Sequence, residues 1–258
     1  MVGGASPVLR RLAAPAALLA VLVAYYVWHG SLPSLDSTWW NVAFLTFVLV
    51  PAVFALALLA LPLRGWKWLL PVGIGLLAAG LVLQRLDAGL AGNFAKLGAM
   101  TALGFWFVSF FEAVTWVALV ALIVPWVDAY SVWRGPTKHI VTHQRELFTT
   151  FSFAFPVPGE ANTAQLGLPD LLFFALFLGA ADRWGLRTRL TWAAMTLSFG
   201  TTLALTAVLP RLIHRDIPGL PALPLLALGF LAPNADLLWR KLRSEDAWGS
   251  LRSERESG

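Results

Sequence analysis

From Leu97 to Trp133 the chain runs for 37 residues with two charged side chains, Glu112 and Asp128. A helix crosses the hydrocarbon of a bilayer in about 20 residues, so this stretch is too long for one crossing and too apolar for a soluble surface. It reads as two helices broken at Ser109–Glu112. Comparable runs recur along the chain. Together they predict spans at Leu12–Trp28, Trp39–Leu61, Trp66–Leu83, Leu97–Val108, Ala113–Trp133, Leu166–Ala181, Leu190–Pro210 and Leu220–Trp239. Charged residues make up 13% of the sequence, against about 25% in soluble domains. The expected fold is therefore all-α, a polytopic membrane helical bundle of about eight transmembrane helices. Pro51, Pro71, Pro125 and Pro233 fall inside spans and should kink them.

Several functional classes drop out at once. The chain has no cysteine, which removes disulfides, thiolate catalysis and cysteine-ligated metals. Its net charge of +5 comes from basic residues scattered between apolar runs, the ordinary topology signal of membrane proteins rather than a nucleic-acid surface. Tryptophans gather near run ends (Trp28, Trp39, Trp40, Trp66, Trp68), where amphipathic rings prefer the headgroup region. Arg10-Arg11 ahead of Leu12–Trp28 has the outline of a signal peptide. With no small-residue cleavage site after it, the segment reads as a retained helix. No internal repeat argues for a transporter-type duplication.

Four regions follow. Residues 1–133 form an N-terminal bundle ending in the helix of Asp128, and residues 134–165 a hydrophilic loop. Residues 166–239 form a three-helix part, and residues 240–258 a charged tail expected to be disordered. Within the loop, Phe148–Phe155 alternates Phe with small or polar residues, a period of two suited to an extended strand.

Asp128 and Asp170 stand out because each lies inside an apolar run. A carboxylate in hydrocarbon costs roughly 2.5–3.5 kcal/mol even on lenient insertion scales, and its default reading is functional. Two carboxyls sharing one proton can activate water and polarise an amide carbonyl at one site, the chemistry of aspartic proteases. The plainer reading is interfacial for Asp128, beside Tyr130 and Trp133, and helix-capping for Asp170, which follows Pro169. Other polar residues are weaker candidates. His139 and His143 lack the acidic partner of a zinc motif, Glu112 reads as interfacial, and Asp182-Arg183 reads as a pair at a span end. Asn234 and Asp236 read as contacts to a neighbouring helix. Gly73, Gly75, Gly98 and Gly104 read as close helix packing.

The residues around the aspartates carry a resemblance. Val127-Asp128-Ala-Tyr-Ser131-Val132, followed by Thr137-Lys138-His139, is similar to the first active-site segment of presenilin and signal-peptide-peptidase (GxGD) intramembrane aspartyl proteases, closest to their archaeal and bacterial members. Gly167-Leu168-Pro169-Asp170 resembles their Gly-x-Gly-Asp motif, and Pro221-Ala222-Leu223 their Pro-Ala-Leu motif. The three occur in the family's order, over roughly Leu97 to Trp239. Two positions depart. Val127 replaces the family's tyrosine, and Pro169 replaces a glycine, substituting a fixed φ and no N–H donor for a free backbone. The family usually has nine spans, one more than the eight counted here.

The resemblance implies a catalytic pair, Asp128 and Asp170, needing no metal or organic cofactor. Gly167, Leu168 and Pro169 would lie at the substrate entrance beside Asp170. Pro221, Ala222 and Leu223 would support the site and hold an extended substrate. Partners would be the lipid bilayer and single-span transmembrane or signal-peptide substrates, with no nucleic acid. Because a transmembrane helix must unwind before attack, an exposed strand edge is expected to take over its backbone hydrogen bonds, with Phe148–Phe155 as the candidate. The rival classes are a proton-coupled transporter and a catalytically silent relative that binds transmembrane helices. The location implied is a prokaryotic cytoplasmic membrane. With eight spans, 12 of the 19 basic residues fall on the side of both termini and 7 on the side of the long loop, which places the termini in the cytoplasm.

Overall fold

The computed structural model of the chain describes residues 7–35, 37–134, 149–161, 163–213 and 220–243. Helix α1 covers Pro7–Trp28. The second span is composite: α2 (Thr38–Phe44), a π-helical turn (Leu45–Leu49), α3 (Val50–Ala60) and a 3-10 turn (Leu61–Leu63). Pro51 cannot donate to the carbonyl four residues earlier, and the wide turn just before it accommodates that loss. Then come α4 (Leu69–Arg85), α5 (Gly89–Phe107), α6 (Val114–Arg134), β1 (Ser152–Pro156) and β2 (Thr163–Gly167). The chain continues through α7 (Leu168–Arg183), α8 (Thr188–Ile213) and α9 (Leu223–Leu231), which passes through a 3-10 turn at Ala232–Asn234 into helix that reaches residue 243, the last described.

Four helical stretches are long and apolar enough to cross a membrane: Ala13–Ser31, Thr38–Leu63, Val114–Val132 and Thr188–Leu209. Leu69–Arg85 is apolar but shorter. The molecule is a helical membrane protein.

Helix α7 is the centre of the bundle. Leu176, Phe177, Leu178 and Ala180 on it are fully enclosed, so nearly every side of this helix is apolar. Phe174 lies 4.2 Å from Phe54 of α3, Phe54 stacks on Phe199 of α8 at 5.0 Å, and Phe177 stacks on Phe230 of α9 at 4.9 Å. Gly104 lets α5 approach α7 closely, since a Cβ there would stand 2.6 Å from that of Ala175. Gly73 and Gly98 face Leu103 and Leu76 across the α4–α5 pair, as close packing requires. Gly75 does not, because it faces open space.

Among the described residues the fold departs from an all-α bundle in one element, the antiparallel hairpin of β1 and β2, in register from Ser152↔Gly167 to Pro156↔Thr163. Phe153 and Phe155 are both fully buried on one face, 4.8 Å apart edge to face, as the alternating Phe pattern foretold for this half of Phe148–Phe155; Thr149–Phe151 form a helical turn instead, and Phe148 lies outside the described residues. Its turn is pinned to the start of the bundle. Gly159 has φ +68° and donates its N–H to the His29 carbonyl at 2.8 Å, while Asn41 donates to Glu160 at 2.6 Å.

Of the boundaries that differ from the sequence reading, three bear on the site or the tail. The fourth helix begins at Gly89 rather than Leu97, drawing Asn93 and Lys96 inside it. Leu166 and Gly167 belong to a strand rather than to the following helix. The last helix runs through residue 243, into the segment expected to be disordered from residue 240. The break at Ser109–Glu112 falls where expected, between a 3-10 turn (Val108–Phe110) and α6.

Candidate active site

Helix α6 lies at the edge of the bundle. Trp126, Val127 and Tyr130 are largely exposed on it, so most of this turn faces outward. Asp128, half-buried, points the other way, toward the start of α9. There the Leu223 N–H donates to its Oδ2 at 3.1 Å, and the Ala222 N–H also bonds its carboxyl. The local chemistry explains the contact. The first N–H groups of a helix have no partner within it, and Ala222, at the N-cap of α9, has no side-chain acceptor to offer. Pro221 just before it has no N–H. Asp128 thus supplies from another helix the acceptor that a capping Ser or Asp would supply locally, and a carboxylate suits the positive end of the helix dipole.

Asp170 is the third residue of α7, whose N-cap is Gly167. Its carboxyl curls back toward the Gly167 N–H, the position from which a capping-box acid reaches its N-cap. A Cβ on Gly167 would lie 3.2 Å from Asp170 Oδ2, so glycine leaves room for this fold-back. Asp128 and Asp170 are near enough that the charge of one acts on the other. The structure therefore brings Asp128, Asp170, Gly167, Ala222 and Leu223 to one place, from three separate stretches of sequence.

The other predicted residues have distinct positions. Pro169 is exposed in the first turn of α7, where its missing N–H removes no intrahelical bond. Leu168 is buried in the core and its N–H bonds the Phe151 carbonyl at 3.0 Å, so it ties the hairpin to α7 rather than shaping an entrance. Pro221 is half-buried at the start of α9.

The expectation of a free edge along Phe148–Phe155 is corrected. Among the described residues of this segment, the outer edge of β1 is occupied by side chains of α1 and α5. The Asn93 amide takes both backbone groups of Ala154, so the pair Ala154↔Gln165 is not hydrogen-bonded across the hairpin, and the Gln165 backbone faces away from β1. Thr163 and Gly167 face the same way by alternation. Among the described residues the outer edge of β2 is occupied only at Gly167, whose N–H meets the Asp170 carboxyl, and the strand leads directly to that residue.

Elsewhere, Asp182 and Arg183 turn apart. Asp182 pairs with Arg64 at 3.0 Å, and Arg183 donates to the Val108 carbonyl. Asn234 accepts from the Arg187 N–H and donates to Thr191, and Asp236 pairs with Arg187 at 2.6 Å, contacts to a neighbouring segment as expected. Glu112 is exposed at the turn before α6. His139 and His143 lie outside the described residues.

Sequence reasoning missed Lys96, 3% exposed, because it was counted as a loop residue. The signal was present: Asn93 and Lys96 are three apart in an otherwise apolar run, the spacing of one helix face. No protein-family model matches the chain, and no curated protein matches it in sequence.

Proposed function

We propose that the chain is an intramembrane aspartyl endopeptidase, similar to the presenilin and signal-peptide-peptidase group, that hydrolyses peptide bonds of transmembrane-helix substrates. One observation carries the reading. The Gly167–Asp170 segment, the Asp128 helix and the Pro221–Leu223 turn, which resemble the family's three motifs, meet at a pair of carboxyls within reach of each other's charge.

The chemistry follows from that pair. The ionised carboxylate takes a proton from water as the oxygen attacks the scissile carbonyl carbon. The protonated partner gives its proton to the carbonyl oxygen, leaving a tetrahedral gem-diol. Collapse of that diol breaks the C–N bond, with a proton passing to the departing amine. Asp128, with two backbone donors on it, is assigned the base in the first step, and Asp170 the acid. An unwound substrate would add to the edge of β2 at Thr163 and Gln165, which delivers its backbone beside Gly167 and Asp170. No metal or organic cofactor enters these steps.

In this reading all eight helical rods cross the bilayer, those too short or too polar by themselves being shielded by their neighbours. The host is a prokaryotic cytoplasmic membrane. With Lys96 inside α5, the long-loop face keeps 6 basic residues against 12 on the side of the termini. Both termini are then cytoplasmic, and substrates enter with cytoplasmic N-termini.

A second reading has an observation of its own. Asp128 caps α9 and Asp170 folds onto the start of α7, so both carboxyls have structural work in a catalytically silent relative that binds transmembrane helices. Cleavage of a single-span substrate by the purified chain decides between them. Activity abolished by Asp128→Ala and by Asp170→Ala supports the protease. No cleavage of several such substrates favours the silent relative.

A further inference from the structure

A buried cation with three hydrogen bonds lies on the far side of the hairpin from β2. Lys96 Nζ donates to the Ser152 carbonyl at 2.6 Å, the Thr150 carbonyl at 3.3 Å and Gln84 Oε1 at 2.9 Å. An ammonium has three protons, and all three are engaged. One turn away, Asn93 donates to the Ala154 carbonyl and accepts from the Ala154 N–H, both at 2.9 Å. Tyr26 and Tyr25 of α1 donate to the Ala154 and Pro156 carbonyls at 2.9 and 2.8 Å.

These bonds close an edge. The outward carbonyls of β1 at Ser152, Ala154 and Pro156 are all taken, the Ala154 N–H is taken, and Pro156 has no N–H. Asn93 presents one donor and one acceptor to a single residue, as the peptide groups of a neighbouring strand would. Residues three apart on a helix rise about 4.5 Å and share a face. From there the long Lys96 side chain and the short Asn93 side chain reach Ser152 and Ala154, two positions apart on the same strand edge. A cavity of about 290 Å³ lies beside this seal, with Lys96, Asn93 and Gln84 in its wall. Since Lys96 has no proton left to offer, its role there is to hold backbone rather than to bind an ion.

We propose that Asn93 and Lys96 are positioning residues that act as a surrogate third strand, sealing β1 so that, among the described residues, β2 is the hairpin edge left to an incoming chain and Gly167–Asp170 is held in register. The proposal rests on the protease reading for its consequence, though not for the seal itself. An unpaired strand edge is a template for any extended chain. With β1 closed, an incoming segment has one register next to Asp170. With β1 open, the hairpin can shift or accept a chain on its wrong side.

The test uses the full-length chain in lipid nanodiscs, a single-span substrate, mass-spectrometric mapping of the cut and amide exchange. Asn93→Leu removes both bonds to Ala154 and nearly preserves size; Lys96→Met removes the cation. In Asn93→Leu the Ala154 amide should exchange at least about 10-fold faster, the equivalent of one lost hydrogen bond. In both variants kcat per folded molecule should fall with KM little changed, and the cut should spread over more than one bond. Lys96→Arg, which keeps donors in place, should restore a single cut. Tyr26→Phe removes one bond from the same carbonyl and gives a milder version should Asn93→Leu fail to fold. Unchanged Ala154 exchange, or an unchanged cut position and kcat in both variants, overturns the proposal. If the wild-type chain cleaves nothing, the protease reading falls alone, and the exchange result still decides the seal.

Discussion

Replacing Asp128 separates capping from catalysis, because the two roles need different atoms. Asp128→Asn keeps a side-chain oxygen that can accept from Ala222 and Leu223 but removes the acid–base function. Asp128→Ala removes both. Loss of a capping acceptor costs about 1 kcal/mol, while taking a carboxyl out of apolar surroundings returns part of that. For a chain of this size 1 kcal/mol corresponds to roughly 2–4 °C in Tm. The Ala variant should therefore melt at most a few degrees lower in detergent, and the Asn variant close to wild type. Cleavage of a single-span substrate should fall in both by at least about 10²-fold, the low end of what a positioned acid–base group contributes. Near-full activity in Asp128→Asn would refute the catalytic pair. A Tm for Asp128→Ala no lower than that of Asp128→Asn would refute the capping role.

Four further tests probe neighbouring positions. Gly167→Ala puts a Cβ 3.2 Å from Asp170 Oδ2 and should push that carboxyl by a few tenths of an ångström; kcat should drop about 10-fold, since a 1 Å misplacement costs on the order of 10²-fold, and KM should hold. Pro169→Gly should leave activity within about an order of magnitude, as Pro169 is exposed and its fixed φ is already helical; a rise from background would instead identify Pro169 as the block in a silent chain. Gly104→Val overpacks the α5–α7 contact, where the Cβ meets Ala175 at 2.6 Å, and should lower stability by about 1–3 kcal/mol, read as a fall in Tm. A reporter fused after Gly258 checks topology: fluorescence from a cytoplasm-only reporter is expected, and alkaline phosphatase activity would invert the orientation and the polarity of substrates.

The helices were legible in the sequence because membrane spans are long and their signal is composition. The break at Ser109–Glu112 was legible for the same reason, as 37 apolar residues exceed one crossing. The start of α5 was not, because Lys96 looks like a loop residue until Ser152 of β1, Thr150 just before it and Gln84 of α4 supply three acceptors for it. The second strand was hidden too. Thr163–Gly167 contains one Leu and no aromatic, and its extended conformation comes from pairing with Phe153 and Phe155 rather than from its own propensity. The site was half legible. Asp128 and Asp170 announce themselves by the cost of their burial, but which backbone groups meet them depends on how α6, α7 and α9 pack. The Phe pattern correctly foretold a strand and pointed to the wrong edge, because hydrophobic alternation marks a buried face and says nothing about which side of the strand is already hydrogen-bonded.

The two carboxyls are held by different kinds of element, and that asymmetry sets what can move. Asp170 begins the most buried helix of the molecule, and its turn is tied to β1 through Leu168 and Phe151. β1 is tied in turn to α5 and α1 by Asn93, Lys96, Tyr25 and Tyr26. Shifting Asp170 therefore means breaking several buried hydrogen bonds together. Asp128 sits on a peripheral helix whose outer face carries Trp126, Val127 and Tyr130 to the surroundings, and its named attachment at this level is the pair of N–H groups opening α9. In the protease reading, a transmembrane substrate arriving beside α6 would meet the less restrained carboxyl first. The Ala222–Leu223 turn holds that carboxyl, so in the same reading the Pro-Ala-Leu segment would govern assembly of the pair even though it contributes no titratable group of its own.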